Sequence, residues 1–216
     1  MRPHEAPEIV IVRTGAANLA SVCAACRRAG LSPRLSVEPR DVDKAALLVL
    51  PGVGAFGPAA ENLERFGLWE PLRRRAAEGR AMLAICLGMQ LLFEASEESP
   101  GVSGLGVLPG RVTRFPDSER VPQLGWNRVV APFHAPTLRT GDAAFANSFR
   151  VTTPPPGAIS AITDYAGPFV AALERSGLLA CQFHPELSGA FGLLLIRRWA
   201  AACLAAPRSA KEAAPC

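Results

Sequence analysis

No apolar run in this 216-residue chain approaches the roughly 20 residues needed to cross a bilayer. Its first residues, Met1-Arg-Pro-His-Glu-Ala-Pro-Glu8, are polar and lack the apolar segment of a secretory signal, which predicts a cytoplasmic protein. Charge is sparse: 19% of residues are charged against 49% hydrophobic, and the net charge of +4 comes from scattered basic residues. The one tight basic run, Arg73-Arg74-Arg75, precedes Glu78 on a predicted helix. Without interleaved aromatics or a nucleic-acid-binding motif, it reads as a solvated helix face. A phosphate-binding loop, an internal repeat and a low-complexity linker are also missing. These absences argue against membrane and nucleic-acid partners and leave one sizeable globular domain, expected over 1–206, with a frayed tail at 207–216.

The six cysteines (Cys23, Cys26, Cys86, Cys181, Cys203 and Cys216) do not suggest a disulfide framework in a cytosolic chain of this size. Cys23-Ala-Ala-Cys26 has the spacing of a redox or metal pair. It lies inside an apolar-periodic helix, however, and no second pair completes a zinc site, so both are expected to be packing thiols. No metal or cofactor is expected.

Hydrophobic patterning gives the fold class. Glu8 to Arg13 and Pro33 to Val37 read as strands, and Ala46 to Leu50 as a strand buried on both faces. Asn18 is a plausible cap for a helix from Leu19 to Ala29 that stops at Gly30. One helix is predicted from about Pro58 to Glu78, then the strand that ends at Cys86. This alternation predicts an α/β fold with a mostly parallel central sheet flanked by helices. After Pro100, short strands near Gly110, Trp126, Ala144, Ile159 and Phe169 predict a small antiparallel extension. It returns the chain to an apolar strand, Leu178 to Phe183, and a closing helix spans Gly189 to Ala205.

Within this frame, three segments carry chemistry. Ala81-Met-Leu-Ala-Ile-Cys86-Leu-Gly88-Met-Gln-Leu-Leu-Phe93 reads as a strand running into a helix, with a cysteine on the sharp bend between them. That elbow exposes a sulfur with a helix N-terminus behind it. Cys181-Gln-Phe-His184-Pro-Glu186 ends a second apolar run in an imidazole and a carboxylate, where Pro185 fixes the turn and Glu186 can orient the ring. His4 and His134 lie on a terminal arm and in a Pro-flanked loop. The Pro51-Gly52-Val53-Gly54 loop follows the buried third strand at its carboxyl end, where open α/β sheets place ligands. Its backbone N–H groups, with that of Leu87, could form an oxyanion hole. A thiol, an imidazole and a carboxylate point to acyl transfer through a thioester.

Pro51-Gly-Val-Gly-Ala-Phe-Gly57, Ile85-Cys-Leu-Gly-Met-Gln-Leu-Leu92 and Gln182-Phe-His-Pro-Glu186 resemble the triad-type (class I) glutamine amidotransferases. Thr14-Gly-Ala-Ala-Asn-Leu-Ala-Ser-Val22 and Val121-Pro-Gln-Leu-Gly-Trp-Asn127 are similar to one branch, the glutaminase subunits of imidazole glycerol phosphate synthase in histidine biosynthesis. The resemblance implies Cys86 as nucleophile, His184 as general base and acid, and Glu186 as its orienting carboxylate. It also implies oxyanion contacts from Gly52, Val53 and Leu87, glutamine held by Gln90 and Ser148, and Trp126 facing a synthase subunit. The implied partner is a (β/α)8-barrel cyclase in a heterodimer. It would take ammonia from glutamine to make imidazole glycerol phosphate and AICAR.

The chain departs from the family pattern at several places. Arg13-Thr14 stands where an acidic–aromatic pair is usual, Ala84 replaces a common glycine, Asn147-Ser148-Phe149 replaces His-Ser-Tyr, and Leu187 replaces lysine. None removes a triad member. A cysteine peptidase or hydrolase, a glutaminase serving another synthase and a non-catalytic binding subunit stay open as rivals. Glutaminase activity stimulated by a partner would argue against the first, and the intact Cys86, His184 and Glu186 argue against the last.

Overall fold

The computed structural model describes residues 6–13 and 18–206. The predicted turn at 14–17, the tail at 207–216, Thr14, Cys216 and His4 lie outside the described residues. The chain runs β1 (Glu8–Val12), α1 (Leu19–Arg28), β2 (Ser32–Ser36), α2 (Pro39–Lys44), β3 (Leu47–Leu50), α3 (Phe56–Arg65), α4 (Trp69–Ala77), β4 (Met82–Ile85) and α5 (Leu87–Gln90). It continues through β5 (Ala95–Ser96), β6 (Arg111–Arg114), β7 (Gln123–Val129), β8 (Gly141–Asn147), β9 (Phe149–Arg150), β10 (Ile159–Asp164), β11 (Pro168–Arg175), β12 (Leu178–Cys181) and α6 (Gly189–Ala205).

Seven strands form the central sheet in the order β10-β11-β12-β4-β3-β1-β2. The five strands from β12 to β2 are parallel, and β11 and β10 extend the sheet antiparallel. The expected antiparallel extension is therefore divided. Two of its strands join the main sheet, and the β7–β8 ribbon stands as a separate two-stranded sheet. In β1, β3, β4 and β12 alternate residues feed two cores, as period-two side-chain alternation requires. Ile9, Ile11, Leu47, Val49, Leu83 and Ile85 pack under α1 and α6. Val10, Val12, Leu48, Leu50, Met82 and Ala84 pack under α3 and α4. Cys23 and Cys26 are buried free thiols on the inner face of α1, and burial, with smaller contributions from Cys23 and Glu186, raises Cys26 to about 12.

Two readings need correction. The single helix expected from Pro58 to Glu78 is two. Gly67, at φ +64°, ends α3 in a left-handed cap whose next residue, Leu68, donates back to the Leu63 carbonyl. The basic run is also not uniformly solvated. Arg73 pairs with Glu70 and Arg74 with Asp43 at the surface, but Arg75 is 1% exposed. Its guanidinium donates to the carbonyls of Val42, Ala45 and Ala81, tying α2 and the start of β4 to α4. A buried guanidinium persists only where such acceptors replace water.

Candidate active site

Strands β3, β4 and β12 are adjacent and parallel, so their carboxyl ends deliver three loops to one edge of the sheet. Leu50 leads into Pro51–Gly54, Ile85 into Cys86, and Cys181 into Gln182–Glu186. The Cys86 N–H donates to the Cys181 carbonyl at 2.7 Å, which extends the β4–β12 ladder one step and fixes the elbow against the histidine segment. Cys86 sits at φ 51°, ψ −110°, a backbone conformation that a residue with a side chain adopts only under constraint. Gly88 supplies the constraint. A Cβ there would lie 2.1 Å from the Leu50 carbonyl oxygen, so only glycine lets the elbow close onto β3. The helix beyond is shorter than its apolar sequence suggests, a single turn from Leu87 to Gln90.

His184 Nδ1 and Glu186 Oε1 are 2.8 Å apart, and both side chains are buried. Burial alone pulls the His184 pKa down, but hydrogen bonds to Cys86 and then Glu186 outweigh it and raise the pKa from 6.5 to about 10. The imidazole thus interacts with both the Cys86 sulfur and the Glu186 carboxylate. The Ser188 hydroxyl steadies the turn by donating to the His184 carbonyl and accepting from the Ala144 N–H of β8. The neighbouring Cys181 is wholly buried, and burial, with Glu186 and Glu174, holds its pKa well above the ordinary thiol value. It stays a thiol with no route to a substrate.

A cavity of about 240 Å³ opens over this arrangement, lined by Val53, Gly54, Cys86, Leu87, Gln90, Glu98, residues 146–149 and His184. Of the expected contacts, Val53, Leu87, Gln90 and Ser148 face it, while Gly52 lies beneath the elbow, against Leu87 and Gly88. The two N–H groups expected to bind an oxyanion, those of Leu87 and Val53, do not converge. Leu87 N–H is held by the Gly52 carbonyl at 3.3 Å. Because a peptide's N–H and C=O point in opposite directions, the Val53 N–H faces away from Leu87. Rotation of that one peptide unit would free the first donor and turn in the second.

A larger cavity, about 620 Å³, lies at the opposite end of the sheet beside Arg75, Trp199 and Cys203, away from Cys86 and His184. Sequence reasoning gave no role to Gln182, Ser188 or Glu98, whose carboxylate anchors the start of α3 through the Phe56 N–H. Gln182 was the one with a visible signal, a polar side chain inside an apolar strand run.

Some of the exposed apolar groups fall on or beside these segments, while Leu35, Val130, Phe133, Leu194 and Leu204 are exposed elsewhere. Val53, Leu124, Trp126 and Leu187 are all exposed, Trp126 at 63%. Trp126 lies close to Gly189, two residues beyond Leu187, and Leu124 pairs across the ribbon with Ala146 at the cavity wall. Among the described residues no helix is long and apolar enough to cross a membrane.

The family model for glutamine amidotransferase class-I matches residues 24–197. The chain is 45% identical over 197 residues to the imidazole glycerol phosphate synthase subunit HisH of Deinococcus radiodurans, covering 88% of this chain and 92% of that one. It is 44% identical over 195 residues to the HisH subunit of Symbiobacterium thermophilum, with the same coverage. Among solved structures, a glutamine amidotransferase superposes with a TM-score of 0.73 at 19% identity, over 90% of this chain and 98% of that one. The PurLQS structure from Thermotoga maritima gives 0.69 at 15%, over 89% and 97%. At these identities the structures speak for the fold alone.

Proposed function

Because the chain belongs to the class-I glutamine amidotransferase family, with HisH subunits of imidazole glycerol phosphate synthase among its relatives, we propose that it hydrolyses glutamine at Cys86 and passes the ammonia to a cyclase subunit. The observation that carries the site assignment is the contact chain of Cys86, His184 and Glu186 on a strained elbow beneath a cavity. Cys86 first passes its proton to His184, and the resulting thiolate attacks the side-chain carboxamide carbon. Collapse of the tetrahedral intermediate breaks the C–N bond, and His184 gives its proton to the departing nitrogen to release ammonia. Water then adds to the thioester with His184 again as base, the C–S bond breaks, and glutamate leaves. Glu186 keeps the ring oriented and stabilises its cationic form.

Ammonia is protonated and lost as a nucleophile in neutral water, so a productive enzyme needs a sheltered exit. The apolar groups around the cavity mouth fit a docked partner there, proposed as a (β/α)8-barrel cyclase in a cytoplasmic heterodimer that makes imidazole glycerol phosphate and AICAR. Docking of that partner is proposed to favour the rotated Gly52–Val53 peptide that completes the oxyanion hole. Cys86→Ala should abolish glutamine-dependent synthesis by the assembled pair while synthesis from added ammonium salt survives. Glutamine hydrolysis by Cys86→Ala would remove the assignment, and full wild-type glutaminase activity without a partner would remove the docking switch.

A further inference from the structure

The backbone carbonyl of Phe149 sets the polarity of a chain of buried amides that ends on the sulfur. That carbonyl can only accept. Gln90 Nε2 donates to it at 3.3 Å, and Asn147 Nδ2 donates to the same oxygen at 3.0 Å. The nitrogen end of the Gln90 amide is therefore fixed, because the flipped amide would set oxygen against oxygen. Gln90 Nε2 also lies 2.9 Å from the Gln182 side chain, so the Gln182 atom facing it is the acceptor, Oε1. The other end of the Gln182 amide, Nε2, then points at Cys86 Sγ from 3.5 Å. Gln182 is wholly buried, and both ends of its side chain are engaged in this way.

We propose that Gln182 donates a hydrogen bond to the Cys86 sulfur and that Gln90 is a positioning residue that holds Gln182 in the donating orientation. The inference rests on Cys86 being the nucleophile. A donor on sulfur favours the states in which sulfur carries charge. These are the thiolate before attack and the thiolate released when the C–S bond of the hydrolytic intermediate breaks and its electron pair returns to sulfur. In the thioester the sulfur is a poor acceptor and the donor contributes little, so its effect falls on the charged states at either side. The titratable side chains that face the sulfur are His184, with Glu186 behind it, and Glu98 on the wall of the same cavity. Gln182 supplies the neutral donor among them.

The test uses the full chain with Gln182→Met, which removes the donor, and Gln182→Glu, which keeps the shape and turns an acceptor on the sulfur. Iodoacetamide alkylation of Cys86 is followed by mass spectrometry near neutral pH and again above about pH 10, where thiols are ionised without help. Both variants should react about tenfold more slowly near neutral pH and at wild-type rate in alkali. In the assembled synthase, kcat with glutamine should fall with KM within about twofold, and ammonia-driven turnover should be unchanged. A purely structural role would lower thermal stability without altering neutral alkylation, and that result overturns the proposal, as does an equal loss of rate at both pH values. Cys86→Ser serves as the control. If it still hydrolyses glutamine, the nucleophile is misassigned. If it is inactive while both Gln182 variants alkylate as wild type, only the role of Gln182 fails.

Discussion

Removing the Cys86 sulfur should release the proton held on His184. In the intact site burial opposes the cation, and the hydrogen bonds to Cys86 and Glu186 override it and raise the ring from 6.5 to about 10. At roughly 1.4 kcal/mol per pH unit, this amounts to on the order of 5 kcal/mol in favour of the imidazolium. In Cys86→Ala the larger upward contribution is gone, leaving Glu186 against burial. The ring should then titrate within about a unit of its ordinary value. A base raised in the folded state stabilises the fold fully below its unfolded pKa, near 6.5, and gives up that contribution as pH rises through about 10. The unfolding free energy of the wild type should therefore decline as pH rises through about 10, and that of Cys86→Ala should decline less. The chain has three histidines, so ring-proton NMR spectra can follow His184 with His4 and His134 as internal references. Denaturant titrations across the same window supply the stability curve. If His184 in Cys86→Ala still titrates near 10, Glu186 alone holds the proton and the sulfur–imidazole contact is not its source.

Gly88→Ala should cost about 3 kcal/mol or more, because the added Cβ would meet the Leu50 carbonyl oxygen at 2.1 Å; an unchanged melting temperature would show that the elbow does not need the close approach. His184→Ala should cripple glutamine turnover about as severely as loss of the thiol, Glu186→Gln less so, and combining them should add little; fully additive losses in kcat would mean that the residues do not act as one unit. Trp126→Ala should leave the melting temperature unchanged, since the ring is exposed, yet weaken calorimetric binding to the cyclase by about 2 kcal/mol; unchanged binding would take the β7–β8 ribbon out of the interface.

The legible parts of the sequence were those whose determinants are local. β1, β3, β4 and β12 are short apolar runs, α6 was placed from Gly189 to Ala205 as found, and Asn18 caps α1 by accepting from the Ser21 N–H. The segments that carry Cys86, His184 and Glu186 are legible for the same reason: each sits in a turn directly after a strand end. Phe66-Gly67-Leu68 was read through because helical periodicity continues across a cap that only a positive φ reveals. α2 escaped notice because its six residues are mostly polar and bury only Val42. Arg75 looked like its exposed neighbours, since its burial is set by acceptors 30 and 33 residues earlier in the chain. The same holds for the amide chain. Gln90 meets partners 59 and 92 residues later, and no local pattern brings them together.

The order of strands in the sheet also bears on how the protein is made. β4, which leads into Cys86, lies between β3 and β12. β3 precedes it in the chain, but β12 is synthesised nearly a hundred residues later, so on the ribosome β4 is an open edge once β1 to β3 have assembled. The strand that closes this edge leads directly into His184 and Glu186, so one pairing event hides an aggregation-prone edge and brings His184 to Cys86. A nascent or truncated chain that ends before β12 carries Cys86 without His184 and Glu186 beside it.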